Sequence, residues 1–434
     1  MSDPAALPSD APPPDAQHST PGSSRASKYS LIATLYVAQA IPLGFFITAM
    51  PVILRSEGLP IEHVGLFSAI AFPWLLKFLW APIIDGRRGF AGRLTGGHYL
   101  SWILPLQGLA IVTVLGLAAL ELEAHLGWVV GLAALFMILS ATQDIATDGL
   151  AVRSLDEDER GPGNGLQVGG YYLGQVLGGG LMLVLFAQLG WSTVFLAMAL
   201  LLALPIPWAL RFTEPATDGA SNQRVGYAAL RRFFARPGVR RFSGEKRPGT
   251  STWVALLLVF RSGETMATFS FNQLLLELGL ELGEIGLLAG LVYAVGALTG
   301  SLAGGWLVAR LGRRPALLLF AAVQSLAILA YLVPTAGQSG LGLLTVVLLV
   351  VSCAGGASTA ALYTVMMDAC EDDTAGTDFT IQQSLCAIGP VIGTSLSGFS
   401  VAAWGFGGHF LLCAAIAFAG FVLAFAQTLP SDRH

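Results

Sequence analysis

An all-α membrane protein, with twelve transmembrane helices in two six-helix pseudo-repeats, is predicted by three observations. These are the scarcity of charge, the length of the apolar runs and the likeness of the two halves. Of 434 residues, 54% are hydrophobic and only 12% are Asp, Glu, Lys or Arg, about half the roughly 25% charged share of a soluble domain. The mean hydropathy of +0.68 agrees. So little charge, with a net of −4, excludes a nucleic-acid partner. Cys353, Cys370, Cys386 and Cys413 all fall in late apolar runs and read as small hydrophobes, not as a disulfide or metal framework. No cofactor is expected.

A bilayer core of about 30 Å needs about 20 apolar residues per helix. On that basis the segments are 29–54, 61–84, 99–120, 127–152, 164–188, 191–211, 251–274, 284–308, 315–334, 341–368, 379–403 and 408–428. Pro42, Pro73 and Pro390 fall inside them, and transmembrane helices tolerate such breaks where neighbours re-satisfy the backbone. Residues 1–28 are rich in Pro, Ser, Ala and Asp without an apolar signal-peptide core, which predicts a disordered cytoplasmic tail. The polar stretch 212–250 divides the segments six and six, giving bundles 29–211 and 251–428 and a short tail at 429–434.

Orientation follows from the basic residues. Of 23 Lys and Arg, Lys77 and Arg261 lie within segments, Arg55 in a loop on one side, and the other 20 on the opposite side. Both termini are therefore expected in the cytoplasm. Within the central linker, Tyr227 to Phe242 interleaves Leu230, Phe233 and Phe234 with Arg231, Arg232, Arg236, Arg240 and Arg241. That pattern suits an amphipathic helix on anionic headgroups.

The halves repeat one another. Glu62-His-Val-Gly65-Leu recurs as Leu282-Gly-Glu284-Ile-Gly286-Leu, the turn Asp85-Gly-Arg87-Arg88 as Arg310-Leu-Gly312-Arg313-Arg314-Pro315, and Asp148 as Asp368. A parallel repeat of six helices joined by a basic cytoplasmic loop is the plan of the major facilitator fold. Gly170, Gly174 and Gly178, then Gly296, Gly300 and Gly304, and also Gly389 and Gly393 form small-residue ladders for close helix packing.

A charge at the bilayer centre costs about 2.5–3.5 kcal/mol on insertion scales, so each one calls for a partner or a cavity. The fourth segment carries Ser140, Gln143, Asp144, Thr147 and Asp148, a spacing that gathers them on one helical face. That face must turn to the bundle interior, with Asp144 handling substrate or a proton. Asp148, nearer the end, reads as a cap or a gate salt bridge. The seventh segment repeats the device with Arg261, Glu264, Thr265, Thr268 and Asn272. Arg261 and Glu264 are one turn apart. They form an internal ion pair, or Arg261 binds a solute anion while Glu264 exchanges a proton. Lys77 either snorkels to the interface or joins the gate. The turns Asp85 to Arg88 and Arg310 to Arg314 read as gating elements.

Enzyme chemistry finds no footing. Gly356-Ala-Ser358-Thr-Ala360 lacks the last Gly of a nucleophile elbow and no strand is predicted there. None of the six histidines lies mid-membrane, and no HExxH, Walker or CxxC motif is present. A non-transporting sensor on the same fold stays open.

Several motifs resemble one branch of the major facilitator superfamily, the peptide–acetyl-CoA transporters. That branch includes AmpG-type muropeptide permeases, acetyl-CoA transporters and siderophore importers. Lys77-Phe-Leu-Trp80-Ala-Pro82-Ile-Ile-Asp85 is similar to its pattern after the second segment, and Ser140-Ala-Thr-Gln143-Asp144-Ile-Ala-Thr-Asp148 to its fourth-segment motif. Glu159-Arg160-Gly161 with Gly170-Tyr171-Tyr-Leu-Gly174 resembles the start of its fifth, and Arg261-Ser-Gly263-Glu264 a basic–acid pattern in its seventh. Ala375-Gly376-Thr377-Asp378-Phe379-Thr380 resembles the start of the eleventh in siderophore importers. The turn at Asp85 departs from the superfamily's longer glycine-spaced form.

The resemblance implies an alternating-access importer in a bacterial-type inner membrane, monomeric, driven by protons and carrying a muropeptide. A siderophore or acyl-CoA is the alternative substrate. The expected substrate face is Gln39, Gln143, Asp144, Arg261 and Glu264, with Asp144 and Glu264 coupling protons. Lys77, Asp85, Arg87, Arg88, Asp148, Arg310, Arg313 and Arg314 are the expected gate.

Overall fold

The computed structural model describes residues 24–58, 67–89, 97–122, 124–215, 226–235, 250–337 and 340–426. The tail up to residue 23, the Glu62 to Leu66 motif, Arg236, Arg240 and Arg241 of the linker and the final tail lie outside the described residues. Among those described, every element is a helix. Nine helices are long and apolar enough to cross a membrane. Two of these are double. Arg160–Arg211 turns at Gly190, with φ of 78°, and Asp372–Ala426 turns at Gly405, with φ of 66°. Only glycine adopts that backbone at no steric cost, so each marks the corner between two successive expected segments.

The second segment accounts for the remaining helix. It is a chain of short pieces, Phe72–Leu76 and Ala81–Gly86 around a 3-10 turn Lys77–Leu79. Pro73 and Pro82 each occupy the first turn of a piece, where a missing N–H costs nothing but continuation from the preceding helix is blocked. The twelve expected segments fit this arrangement. The first helix starts at Arg25, earlier than the expected 29, because Ser24 caps it and Arg25 and Lys28 pair with Asp158, Asp156 and Glu159. Past Pro42 the same helix widens into a π-helical turn at Phe45–Ala49.

Each half has its own apolar core. The first centres on Phe45, Phe46, Phe136 and Phe195, whose rings pack edge-on or tilted. The second centres on Phe271, Tyr331 and Phe410. A third cluster crosses the seam, joining Ile32, Tyr36 and Val152 to Trp253, Val308 and Phe379. Large apolar side chains such as Trp128, Leu200 and Phe399 are exposed on the outside, as a lipid-facing surface requires.

The predicted glycine ladders pack inside the halves. Gly174 and Gly178 lie against Ala40 and Ile41 of the first segment, Gly300 and Gly304 against Cys353 and Ala357 of the tenth, and Gly389 and Gly393 against Leu258 and Met266 of the seventh. Other glycines make the seam between the halves. A Cβ on Gly161 would stand 2.6 Å from the Gly305 carbonyl oxygen, and one on Gly165 2.8 Å from that of Ser301. The linker forms a helix at Ala228–Ala235, with Ala229 and Phe233 buried and Arg231, Arg232 and Phe234 exposed.

Candidate functional site

A cavity of about 880 Å³ lies between the halves. Segments one, two, four and five line it from one side with Gln39, Lys77, Asp144 and Tyr172; segments seven, ten and eleven face them with Arg261, Tyr363 and Gln383. Ile47, Ala69 and Phe72 extend it away from the basic end of the bundle.

Its polar centre is a cluster around Lys77. The 3-10 turn between the two prolines brings the Lys77 ammonium against Asp144, 3.7 Å from Asp148 Oδ2 and 5.3 Å from the Trp74 ring centre. It also donates to Gln383 Oε1 of the other half at 2.6 Å. Gln39 donates to the second oxygen of Asp144. Tyr36 and Gln167 both donate to Asp148 Oδ1, at 2.6 and 3.1 Å. Lys77 therefore belongs to the cavity and does not snorkel, because two carboxylates neutralise it where it stands. Asp148 lies inside the helix Leu126–Ser154 and is not a cap; Tyr36, Gln167 and Lys77 enclose it inside the first half.

Arg261 enters from the second half. The seventh segment, Ser251–Glu277, carries it on helical backbone, its carbonyl accepting from the Thr265 N–H at 3.1 Å. Arg261 lines the cavity, and its buried Nε has no hydrogen-bond partner. The expected pairing with Glu264 is absent in this conformation. Glu264 instead accepts from Tyr293 at 2.8 Å, Thr268 at 3.3 Å and Thr265 at 3.5 Å, and sits behind the cavity wall against Gly355. Gln143 also leaves the expected face. It donates to Gln107 of the third segment at 2.6 Å, because one residue turns an α-helix by about 100° and Asp144 already takes the cavity side. The structure thus gathers Gln39, Asp144 and Arg261 and adds Lys77, while Gln143 and Glu264 stand apart.

At the basic end the halves are locked together. Asp85, in the last turn of the piece Ala81–Gly86 and past the expected membrane span 61–84, accepts from the backbone N–H of Thr377 at 2.7 Å and from Tyr99 at 2.8 Å. Burial pushes its carboxyl up to about 6. Burial also pulls His98, 2.9 Å from the Ile84 carbonyl, down to about 4, so that ring stays neutral. Asp368 accepts from Arg160 of the first half at 2.7 Å and from Arg313 of its own half at 3.0 Å, and Arg313 reaches the Glu157 carbonyl. Of the expected gate, Asp85 and Arg313 make cross-half contacts at this end, and Lys77 makes one from the cavity. Arg87 and Arg88 are exposed. Arg310 stacks on Trp306 and Arg314 lies over Phe425, both within the second half, because the positive charge at these sites finds an aromatic face before it finds an acid. Arg160, Asp368, Gln383 and Tyr293 were not among the expected site residues. The Asp148–Asp368 repeat pointed to one of them; of the adjacent Gln382 and Gln383, nothing in the sequence says which meets the cavity.

Comparison with known proteins covers nearly the whole chain. The sequence matches the Major Facilitator Superfamily over residues 32–381 and 254–434. It is 29% identical over 415 residues to the anhydromuropeptide permease of Escherichia coli K12, covering 93% of this chain and 81% of that one. It is 23% identical over 401 residues to the putative transporter AmpG 4 of Rickettsia conorii, covering 92% and 96%. The solved structure of the E. coli fucose:proton symporter FucP superposes with a TM-score of 0.69 at 16% identity, over 94% of this chain and all of that one. FucP in the outward conformation gives 0.70 at 16% identity, over 93% and 100%.

Proposed function

The chain belongs to the Major Facilitator Superfamily and is a membrane transporter, and we propose that it imports an anionic organic solute, a muropeptide, by proton-driven alternating access. The observation that carries this reading is Arg261, a guanidinium facing the central cavity with a buried Nε left unpartnered. A buried donor without a partner costs roughly 1–3 kcal/mol, more when charged, and a solute carboxylate recovers it through charge-assisted hydrogen bonds. Phe72, Trp74, Tyr172 and Tyr363 on the same walls offer flat apolar faces for sugar rings. The relative named an anhydromuropeptide permease supports this choice over a siderophore.

The excess of Lys and Arg puts the basic end in the cytoplasm, so the lock at Asp85 and Asp368 closes the inner side and the cavity faces outward. Closure by rocking of the halves fits the glycine seam. Proton coupling rests on the buried carboxylates Asp144 and Glu264, one in each half.

Uptake of labelled anhydromuropeptide into proteoliposomes, with an inward proton gradient and without one, tests the reading. Gradient-dependent accumulation is expected. Accumulation of a ferri-siderophore instead, or of neither solute, contradicts it.

A further inference from the structure

The cluster at Lys77 holds one more acid than base. Lys77, Asp144 and Asp148 are 3%, 4% and 0% exposed, so water does little to balance the extra charge. Two carboxylates that share one site resist being ionised together, and a buried charge without compensation is among the costliest things a core can hold. Asp148 shows where the imbalance falls. Tyr36 and Gln167 both donate to its Oδ1, whereas the buried Oδ2 has no hydrogen-bond partner and faces Lys77 at 3.7 Å. An oxygen so placed is ready to carry a proton.

We propose that Asp144 and Asp148 hold one proton between them over the single cation Lys77, so that Asp148 is a proton-handling residue and not a gate. The inference rests on the proton-driven reading above and adds a residue to it. The groups facing Asp148 are Tyr36 from the first segment, Lys77 from the second, Asp144 on its own, Gln167 from the fifth and, near enough to feel its charge, Tyr363 from the tenth. With the proton on either acid the cluster is neutral; without it the cluster holds one net negative charge. The proton comes from water in the cavity and leaves to water, and no other bond changes. A pair coupled this closely takes up its proton as a unit. The second half senses the event through Lys77, whose ammonium also donates to Gln383.

The test reads protonated carboxyl groups by infrared difference spectroscopy of the full-length protein in lipid nanodiscs, titrated without any solute. Beyond the carboxyl absorption that Asp85 contributes to every form of the protein, the wild type is expected to show a titrating band equivalent to one further proton. Asp148→Asn and Asp144→Asn are each expected to lose it, since either leaves one acid fully matched by Lys77. Titrating absorption in either variant equal to that of the wild type overturns the sharing. If a variant does not fold, Lys77→Gln serves in its place. The band must then persist with its midpoint moved, and an unmoved midpoint overturns the proposal. Because no solute is present, failure here is distinct from a wrong substrate, which leaves the band intact.

Discussion

Asp85 of the first half accepts a hydrogen bond from the backbone N–H of Thr377 in the second half, at 2.7 Å. Thr377 lies in the first turn after Ala375, where the helical segment starting there presents free N–H groups. One half thus caps a helix of the other. Gly376 lets the carboxylate approach, for a Cβ there would meet Asp85 Oδ1 at 2.7 Å.

That contact is expected to respond to pH. Burial is the main cause that raises the Asp85 carboxyl to about 6, from an ordinary value of about 3.9. It faces Tyr99 from the third segment and Asp378 from the eleventh, and His98 beside it stays neutral. The closed lock therefore retains a proton that an open, hydrated Asp85 releases. Its contribution to closure is complete below about 4 and lost as pH rises through 6. Distance measurements between spin labels across the basic end should show closure weakening over that window in the wild type, and no such step in Asp85→Asn.

Asp368 joins Arg160 and Arg313 at the same end, with all three side chains 18–19% exposed. Asp368→Asn removes both ion pairs and is expected to weaken closure by about 1–2 kcal/mol, between the worth of exposed and of buried pairs. The same spin labels read this as roughly a tenfold rise in the open-to-closed ratio.

Gly161 and Gly305 meet backbone to backbone on the seam. Gly305→Val is expected to hold the halves apart while leaving each half folded. Thiol labelling of Ser301→Cys, fully buried on the same seam, should rise from nearly none to near completion from the basic side, with thermal stability little changed.

Glu264 accepts from Tyr293, whose ring packs edge-on against Tyr172 of the other half, the centroids 5.9 Å apart. Glu264→Gln is expected to abolish accumulation against a gradient and to spare downhill exchange in proteoliposomes. Tyr293→Phe should keep both and shift the pH dependence of accumulation.

The helices were legible because lipid enforces the pattern: apolar runs of spanning length cannot hide. The chemistry was legible wherever one charge stands in such a run, as Lys77, Asp144 and Arg261 do. Which charge meets which was not. The helical spacing of Arg261 and Glu264 holds, with the Arg261 carbonyl accepting from the Thr265 N–H at 3.1 Å, but Glu264 is taken by Tyr293 of the eighth segment. Lys77 and Asp144 meet through a tertiary contact across 67 residues, which periodicity does not encode. Along its own helix Asp148 lies near the end, whereas its burial comes from Tyr36, Gln167 and Lys77 on three others.

The claim that an anionic solute docks on Arg261 is tested most directly by binding of labelled anhydromuropeptide to the full-length protein in nanodiscs. Arg261→Ala is expected to weaken binding by roughly 30-fold or more, the cost of at least 2 kcal/mol for truncating one partner of a buried charged contact. Arg261→Lys should recover part of the loss, since it keeps the charge but not the two-pronged geometry. Wild-type affinity in a folded Arg261→Ala protein contradicts the account.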